Sequence, residues 1–366
     1  MTRTVSIIGT RGYPSYYGGF ETLVRRLAPY LVEQGWTVNV YGRPSALCTA
    51  DAGNDHRVRS IVTPGIETKS LSTLSYGLTS TVHAMVDRPD VALVMNVANG
   101  FWLPLLRARG IPTVVNVDGV EWEREKWGKG AKSMFKAGGY LTGKFATSLI
   151  YDSKELGVRW REYCGRDGIF IPYGGDLTNN GPVIDGLSRR KYVLMVARFV
   201  PENTIGPFLA AARVLSQTWQ VVIVGSSGYG GDLERQVKDL AASNSNVKWY
   251  GHLSNDELLF SLWENAGAYF HGHSVGGTNP ALVQAMACGA PIVARDTRYN
   301  REVLADNAVF VEPHPTEIAE AIHNLINDGD RQEDLSAGAA QRAKDEYTWE
   351  LVCANYELAL SDHLDR

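Results

Sequence analysis

Short runs of apolar and β-branched residues alternate along the chain with longer stretches whose apolar positions recur every three to four residues. The runs are "TVSII", "TVNVY", "VALVM", "TVVNV" and "SLIYD" in the first half, and "YVLMVA", "QVVIVG", "NVKWYG", "GAYFHG", "PIVAR" and "AVFVE" in the second. Continuous apolar runs of this length predict strands buried on both faces, as in parallel sheets, and the amphipathic stretches between them predict crossover helices. The rhythm occurs twice. Between the halves, "IPYGGDLTNNGPVIDGLSRRK" is rich in Gly, Asn and Pro and has little periodicity, which predicts a linker. The expected fold class is therefore α/β, with two Rossmann-like parallel-sheet domains facing a cleft: residues 1–172, a linker at 173–190, and residues 191–345. Ligands of open parallel sheets bind beyond the carboxyl ends of the strands, so the loops after strands carry the candidate chemistry.

The first such loop is "IIGTRGYPSYYGGFETLVRRL". Gly9 and Gly12 suggest a dinucleotide fingerprint, but Pro14 follows where the pattern wants a third glycine. The next strand, "TVNVYGR", also ends without the acidic residue that would hold an NAD ribose. A second glycine pair, Gly18 and Gly19, leads directly into an amphipathic helix. It reads either as a place where backbone N–H groups approach a ligand or as a flexible turn.

The stretch "HSVGGTNPALVQAMACGAP" is more specific. Asn279 is a good N-cap and Pro280 suits the first helical position, so a helix should start here and end at Gly289. Open N–H groups at its start, close backbone approach at Gly276 and Gly277, and the Thr278 hydroxyl together predict a seat for a diphosphate. A plain helix cap would account for Asn279 and Pro280 but not for the glycines.

Composition narrows the class. A chain of 366 residues with 44% hydrophobic and 21% charged residues is ordinary globular protein. A formal charge of −4 argues against nucleic-acid binding through bulk charge. Cys48, Cys164, Cys288 and Cys353 are scattered without CxxC or His-linked spacing, which disfavours zinc and a disulfide framework and fits a reducing cytoplasm. The N-terminus has no signal-peptide h-region and no window reaches about 18 apolar residues, so secretion by a leader and membrane spanning are not expected.

"YFHGHSVGGTNPALVQAMACGAPIVA" resembles the signature of family 4 retaining glycosyltransferases of the GT-B fold. "VLMVARFVPEN", "WYGHLSNDEL" and "EYTWELVCANYELAL" are also similar to that family. In the family the last of these is a final helix, here 346–366, returning across the first domain. More narrowly, "GTRGYPSYYGGFETLVRRL", "NVDGVEWEREKWGKGAK" and "HSVGGTNP" resemble a bacterial rhamnosyltransferase branch that builds capsule and cell-wall polysaccharides.

The resemblance implies transfer of a sugar from a nucleotide diphosphate sugar to a hydroxyl of a glycan or lipid-linked acceptor, with retained configuration and no cofactor or metal. Arg198 matches the family's diphosphate-binding Arg. The companion Lys falls on Asn203, so Gly18, Gly19 and Arg11 join the donor candidates. Aligning on Ala285 to Gly289, the family's two glutamates fall on Gly276 and Gln284. A Gln offers one acceptor oxygen to a ribose where Glu offers two, which suits a deoxyribose and favours a dTDP-sugar over the UDP- and GDP-sugar alternatives, while the resemblance favours rhamnose as the sugar. Asp118, in "TVVNVDGVEW", stands where many relatives carry a catalytic-site His. It could meet a sugar hydroxyl, steady positive charge at the anomeric carbon, or simply cap a turn. Glu21, Asn96 and Asn99 are the acceptor-side polar candidates. The lone D-x-D, at Asp328 to Asp330, reads as turn chemistry in a polar loop between helices.

Lys126, Lys129, Lys132, Lys136 and Lys144 are interleaved with Trp122, Trp127, Phe135 and Tyr140. This is either a solvated helix face or a surface for anionic membrane, which would place a cytoplasmic protein peripherally on the inner face of the plasma membrane. A non-catalytic nucleotide-sugar binder and a nucleotide-sugar epimerase are the alternatives. The first is motivated by the changes at 203, 276 and 284.

Overall fold

Each apolar run read as a strand forms one. The computed structural model describes residues 3–16, 18–44, 53–68, 71–124, 127–178, 181–228 and 230–364; Cys48 and Lys126 lie outside them. The chain divides into two units, Met1–Tyr173 with Trp349–Arg366, and Gly174–Thr348.

In the first unit, β1 (Arg3–Ile8), β2 (Trp36–Gly42), β3 (Arg59–Val62), β4 (Val91–Met95), β5 (Thr113–Asn116), β6 (Ser148–Tyr151) and β7 (Ile169–Phe170) form one parallel sheet ordered β3-β2-β1-β4-β5-β6-β7. The two edge strands, β3 and β7, escaped the sequence pattern because "RSIV" and "IF" are short and largely exposed. Between strands run α1 (Gly19–Glu33), α2 (Ser72–Asp87), α3 (Leu103–Ala108), α4 (Lys129–Phe145) and α5 (Lys154–Cys164).

The second unit has a six-stranded parallel sheet of β8 (Tyr192–Val196), β9 (Gln220–Val224), β10 (Val247–Trp249), β11 (Ala268–His271), β12 (Ile292–Arg295) and β13 (Val309–Val311), ordered β10-β9-β8-β11-β12-β13. Its helices are α6 (Ile205–Leu215), α7 (Asp232–Ser243), α8 (Asp256–Asn265), α9 (Pro280–Ala287), α10 (Arg298–Leu304), α11 (Pro315–Asn327) and α12 (Gly329–Glu346). Both faces of this sheet are buried. Tyr192, Leu194, Val222, Tyr269 and Ile292 enter one core with Met286 of α9 and Ala339 of α12. Val193, Met195, Val221, Ile223 and Phe270 enter the other with α6 and α11. Two-sided burial is why these strands read as unbroken apolar runs.

The stretch 173–190, expected as a linker, is part of the second unit from Gly174 onward. Leu187 is buried in its core with Ile184 packed beside it, and Asn265 donates to the carbonyls of Gly181 and Pro182 at 3.3 Å each. The last helix, α13 (Trp349–Ser361), belongs to the first unit. Trp349, Val352, Cys353, Tyr356 and Leu360 recur every three or four residues and join the core that holds β1, β2 and α1. Fully burying a side chain such as Leu360 contributes about 1.5–3 kcal/mol. At the D-x-D, Asp328 caps α12 by accepting from Arg331 N at 2.9 Å. Among the described residues no helix is long and apolar enough to cross a membrane.

Each sheet reverses its winding once, between β1 and β4 in the first unit and between β8 and β11 in the second. The strand ends at these two reversals, with that of β5, position most of the candidate residues.

Candidate functional site

In the second unit, the loops after β8 and β11 are zipped together. Ser274 donates its backbone N and its hydroxyl to the Glu202 carbonyl, at 3.0 and 2.9 Å. Thr204, in the left-handed region at φ 58°, donates to Gly272 O at 2.6 Å and accepts from Arg295 at 3.1 Å. A β-carbon on Gly272 would stand 2.5 Å from Asn203 O, so only glycine allows this approach.

Arg198, at the start of the β8 loop, is exposed and makes no side-chain hydrogen bond or ion pair among the described residues. A cation left free at a strand end can meet an anion. Asn203 corrects the expectation: it is 2% exposed, and its amide donates to Arg198 O at 2.8 Å. Through this bond the amide holds the arginine's loop.

The helix of the glycine stretch is α9, capped as the sequence predicts: Asn279 Oδ1 accepts from Ala281 N at 2.9 Å, and Pro280 takes the first position. Its first N–H groups are nevertheless not open. Pro280 has none, Ala281 is taken by the cap, and Leu282 and Val283 both donate to Asn279 O at 3.0 and 3.1 Å. The free donors lie one step earlier, at Gly276 and Gly277, whose amides make no backbone hydrogen bond among the described residues. Gly276 has φ 104°, a conformation that side chains rarely adopt. Thr278 is buried beside them.

Gln284 requires a second correction. Its Oε1 accepts from Asp176 N at 2.9 Å and its Nε2 donates to Asp176 O at 2.8 Å. Both ends of the amide are spent on the backbone, so it is not available to a ribose. His271, absent from the sequence expectations, ends β11 at 4% exposure, with Nδ1 3.0 Å from Tyr269 OH and Nε2 without a partner among the described residues. Burial depresses its pKa to about 3, so the ring is neutral.

In the first unit, Gly9 (φ 94°) lets β1 end against β4: a β-carbon there would lie 2.4 Å from Met95 O. Arg11 N donates to Glu21 Oε1 at 3.1 Å, so buried Glu21 anchors this loop from the first turn of α1. Gly18 caps that helix in an extended conformation, φ −169°, and Gly19 opens it; neither has the left-handed backbone that demands glycine.

Asn96, at φ 69°, accepts from Ala98 N at 2.9 Å. Asn99 is 1% exposed and donates to Met95 O at 2.7 Å. The acceptor role expected of Asn99 is thus replaced by a packing role between β1 and β4, because its side chain does not reach the surface.

Asp118 follows β5 at φ 62°, and its N donates to Asn116 Oδ1 at 2.9 Å. Asn116 in turn donates to Tyr356 OH at 2.6 Å, so α13 props the Asp118 turn from 240 residues away. The Asp118 carboxylate is partly exposed and lies 3.9 Å from Arg124, which pairs with buried Glu121 at 2.5 Å. Glu121 also accepts from Trp127 at 2.8 Å. Burial holds the Tyr173 hydroxyl protonated, with the charges of Asp118, Asp152 and Glu21 adding to the effect. Glu21 and Asp118, far apart in sequence, therefore share one neighbourhood. Asp152 and Tyr173 complete it; the signal for Asp152 was available in "SLIYD", an acidic residue at a strand end.

The comparisons with known proteins fit this geometry. Solved structures show the fold: sucrose-phosphate synthase of Thermosynechococcus elongatus superposes with TM-score 0.81 at 18% identity over 98% of both chains. HepE of Anabaena, solved in complex with UDP and glucose, gives 0.78 at 17% identity over 99% of this chain and 100% of that one. The fold class is GT-B. Residues 184–342, all within the second unit, match the family model of Glycosyl transferases group 1. Over 230 residues the chain is 31% identical to a phosphatidyl-myo-inositol mannosyltransferase of Mycolicibacterium smegmatis, covering 58% of this chain and 55% of the relative. It spans about half the length of the curated relatives it matches.

Proposed function

We propose that the protein is a retaining glycosyltransferase that moves a hexose from a nucleoside diphosphate sugar to a hydroxyl of a glycan or lipid-linked acceptor. One observation carries this reading: an unpaired Arg198 and the free Gly276 and Gly277 amides stand at the ends of adjacent strands in the group 1 domain. Fixed donors of this kind meet the charge that grows on a leaving diphosphate. Asp118, partly exposed on a propped turn, is the side chain we assign to a sugar hydroxyl or to the developing positive charge.

No cofactor or metal enters this mechanism. The engagement of Gln284 removes the ground for favouring a dTDP-sugar, and the mannosyltransferase relative makes mannose a donor sugar to set beside rhamnose. The exposed face of α4 carries Lys129, Lys136, Tyr140 and Lys144, which supports docking on an anionic surface where a lipid-linked acceptor would be presented; Lys126 lies outside the described residues.

The test incubates purified protein with GDP-mannose, UDP-glucose and dTDP-rhamnose, with and without EDTA and an acceptor, and follows nucleoside diphosphate release. Release from one donor, insensitive to EDTA and with product of retained configuration, is expected. Rearranged donor without release would make the protein an epimerase. Tight donor binding without either would make it a binding protein.

A further inference from the structure

Under the loop after β1 lies a void of about 10 Å³, lined by Gly9, Thr10, Gly42, Arg43, Tyr76 and Gly77 among others. This is room for one water-sized centre. The chain around it tolerates no larger residues: a β-carbon would lie 2.6 Å from Gly12 Cα at Gly42, and would collide with Asn99 at Gly77.

Arg43 follows β2 and is 8% exposed. Its backbone N donates to Arg11 O at 2.9 Å, and its guanidinium lies 5.3 Å from the centre of the Tyr76 ring. Its ion pair is a long one, Nη1 to Glu67 Oε1 at 3.4 Å, and the Glu67 side chain is 53% exposed. The buried Nε has no partner among the described residues.

A guanidinium stays charged and carries five donors, so leaving one buried and unused is costly. A single water in the void would satisfy a donor but neutralise nothing. Glu67, also held by the Tyr76 hydroxyl, does not line the void, and is the carboxylate with which an external oxyanion would compete for the guanidinium.

We infer that this void is an oxyanion seat: one oxygen of a phosphoryl group on the acceptor enters it, takes the Arg43 Nε, and displaces Glu67 outward. That the group belongs to an acceptor rests on the proposed transferase function. The seat itself does not.

The experiment titrates full-length protein with inorganic phosphate at low ionic strength, by calorimetry and by the Arg43 Nε–H signal in NMR. Glu67→Gln, an exposed change, should tighten phosphate at least fivefold by removing the internal competitor, and Arg43→Gln should abolish binding. A short isoprenyl phosphate should move the Arg43 signal where the matching alcohol does not. Saturating UDP should leave phosphate affinity unchanged. An unmoved Arg43 signal, or Glu67→Gln affinity within twofold of wild type, overturns the seat. Loss of phosphate binding under UDP overturns its assignment to the acceptor, since the anion would then be the donor's own. Donor turnover by wild-type protein judges the transferase reading separately.

Discussion

The turn after β11 in the second unit and the turns after β4 and β5 in the first solve the same problem with opposite residues. After β11 the chain passes through φ 104° on Gly276, whereas after β4 and β5 it passes through φ 69° on Asn96 and 62° on Asp118. Glycine makes its turn without help and leaves amides free. A side chain in the left-handed region needs support, which comes from Asn96's own amide in one case and from Asn116, held by Tyr356, in the other. The second unit therefore offers a ligand its backbone and Arg198, and the first offers side chains on braced turns.

The largest effect should come from Arg198. If the backbone amides hold the diphosphate and the guanidinium neutralises its growing charge, Arg198→Ala should lower kcat/KM about 100-fold or more, on the order of 3 kcal/mol of transition-state stabilisation. Arg198→Lys should recover part of it, since the charge returns without the planar fork. Steady-state kinetics with activity within threefold of wild type would remove Arg198 from the site and leave the second unit with backbone alone.

A reciprocal pair sharpens the contrast further. Gly276→Ala forces a β-carbon into a conformation it rarely adopts and should cost about 1–3 kcal/mol together with nucleotide affinity. Asp118→Gly relieves a left-handed side chain, so stability should stay within about 1 kcal/mol while turnover falls. Urea midpoints and nucleotide calorimetry measure both. If Asp118→Gly lost stability but kept activity, Asp118 would be a turn residue only.

How far the sequence reaches follows the same division. The parallel strands, the α9 cap and the positive φ of Gly276 follow local rules: burial on two faces, capping chemistry and backbone permission, whereas Arg198 was singled out only through the family resemblance. The first three were legible one residue at a time. Gln284, Asn203 and Asn99 were misjudged because side-chain engagement depends on partners the sequence does not reveal. Gln284 is spent on Asp176, 108 positions away, and Asn99 packs against Gly9 and Gly77. The helix N–H groups show a local limit too. Seeing that they are closed required knowing that Asn279 O takes two of them.

The smallest expected effect concerns His271, where the second unit does bury a titratable ring at a strand end. Its pKa falls from 6.5 to about 3 through burial alone, and the groups beside it are the Tyr269 hydroxyl and the His273 ring, 5.9 Å away centre to centre. The unfolded chain therefore binds a proton that the folded chain refuses between those two values. By linkage, the stability tied to the neutral ring is complete above pH 6.5 and is lost progressively as pH falls toward about 3. His271→Phe keeps a ring of similar size and removes the titration. Its urea midpoint should change less between pH 7.5 and 5 than that of wild type. Equal slopes for the two proteins would mean that His271 takes up its proton without unfolding anything, and that the orphan Nε2 is reached by water or ligand.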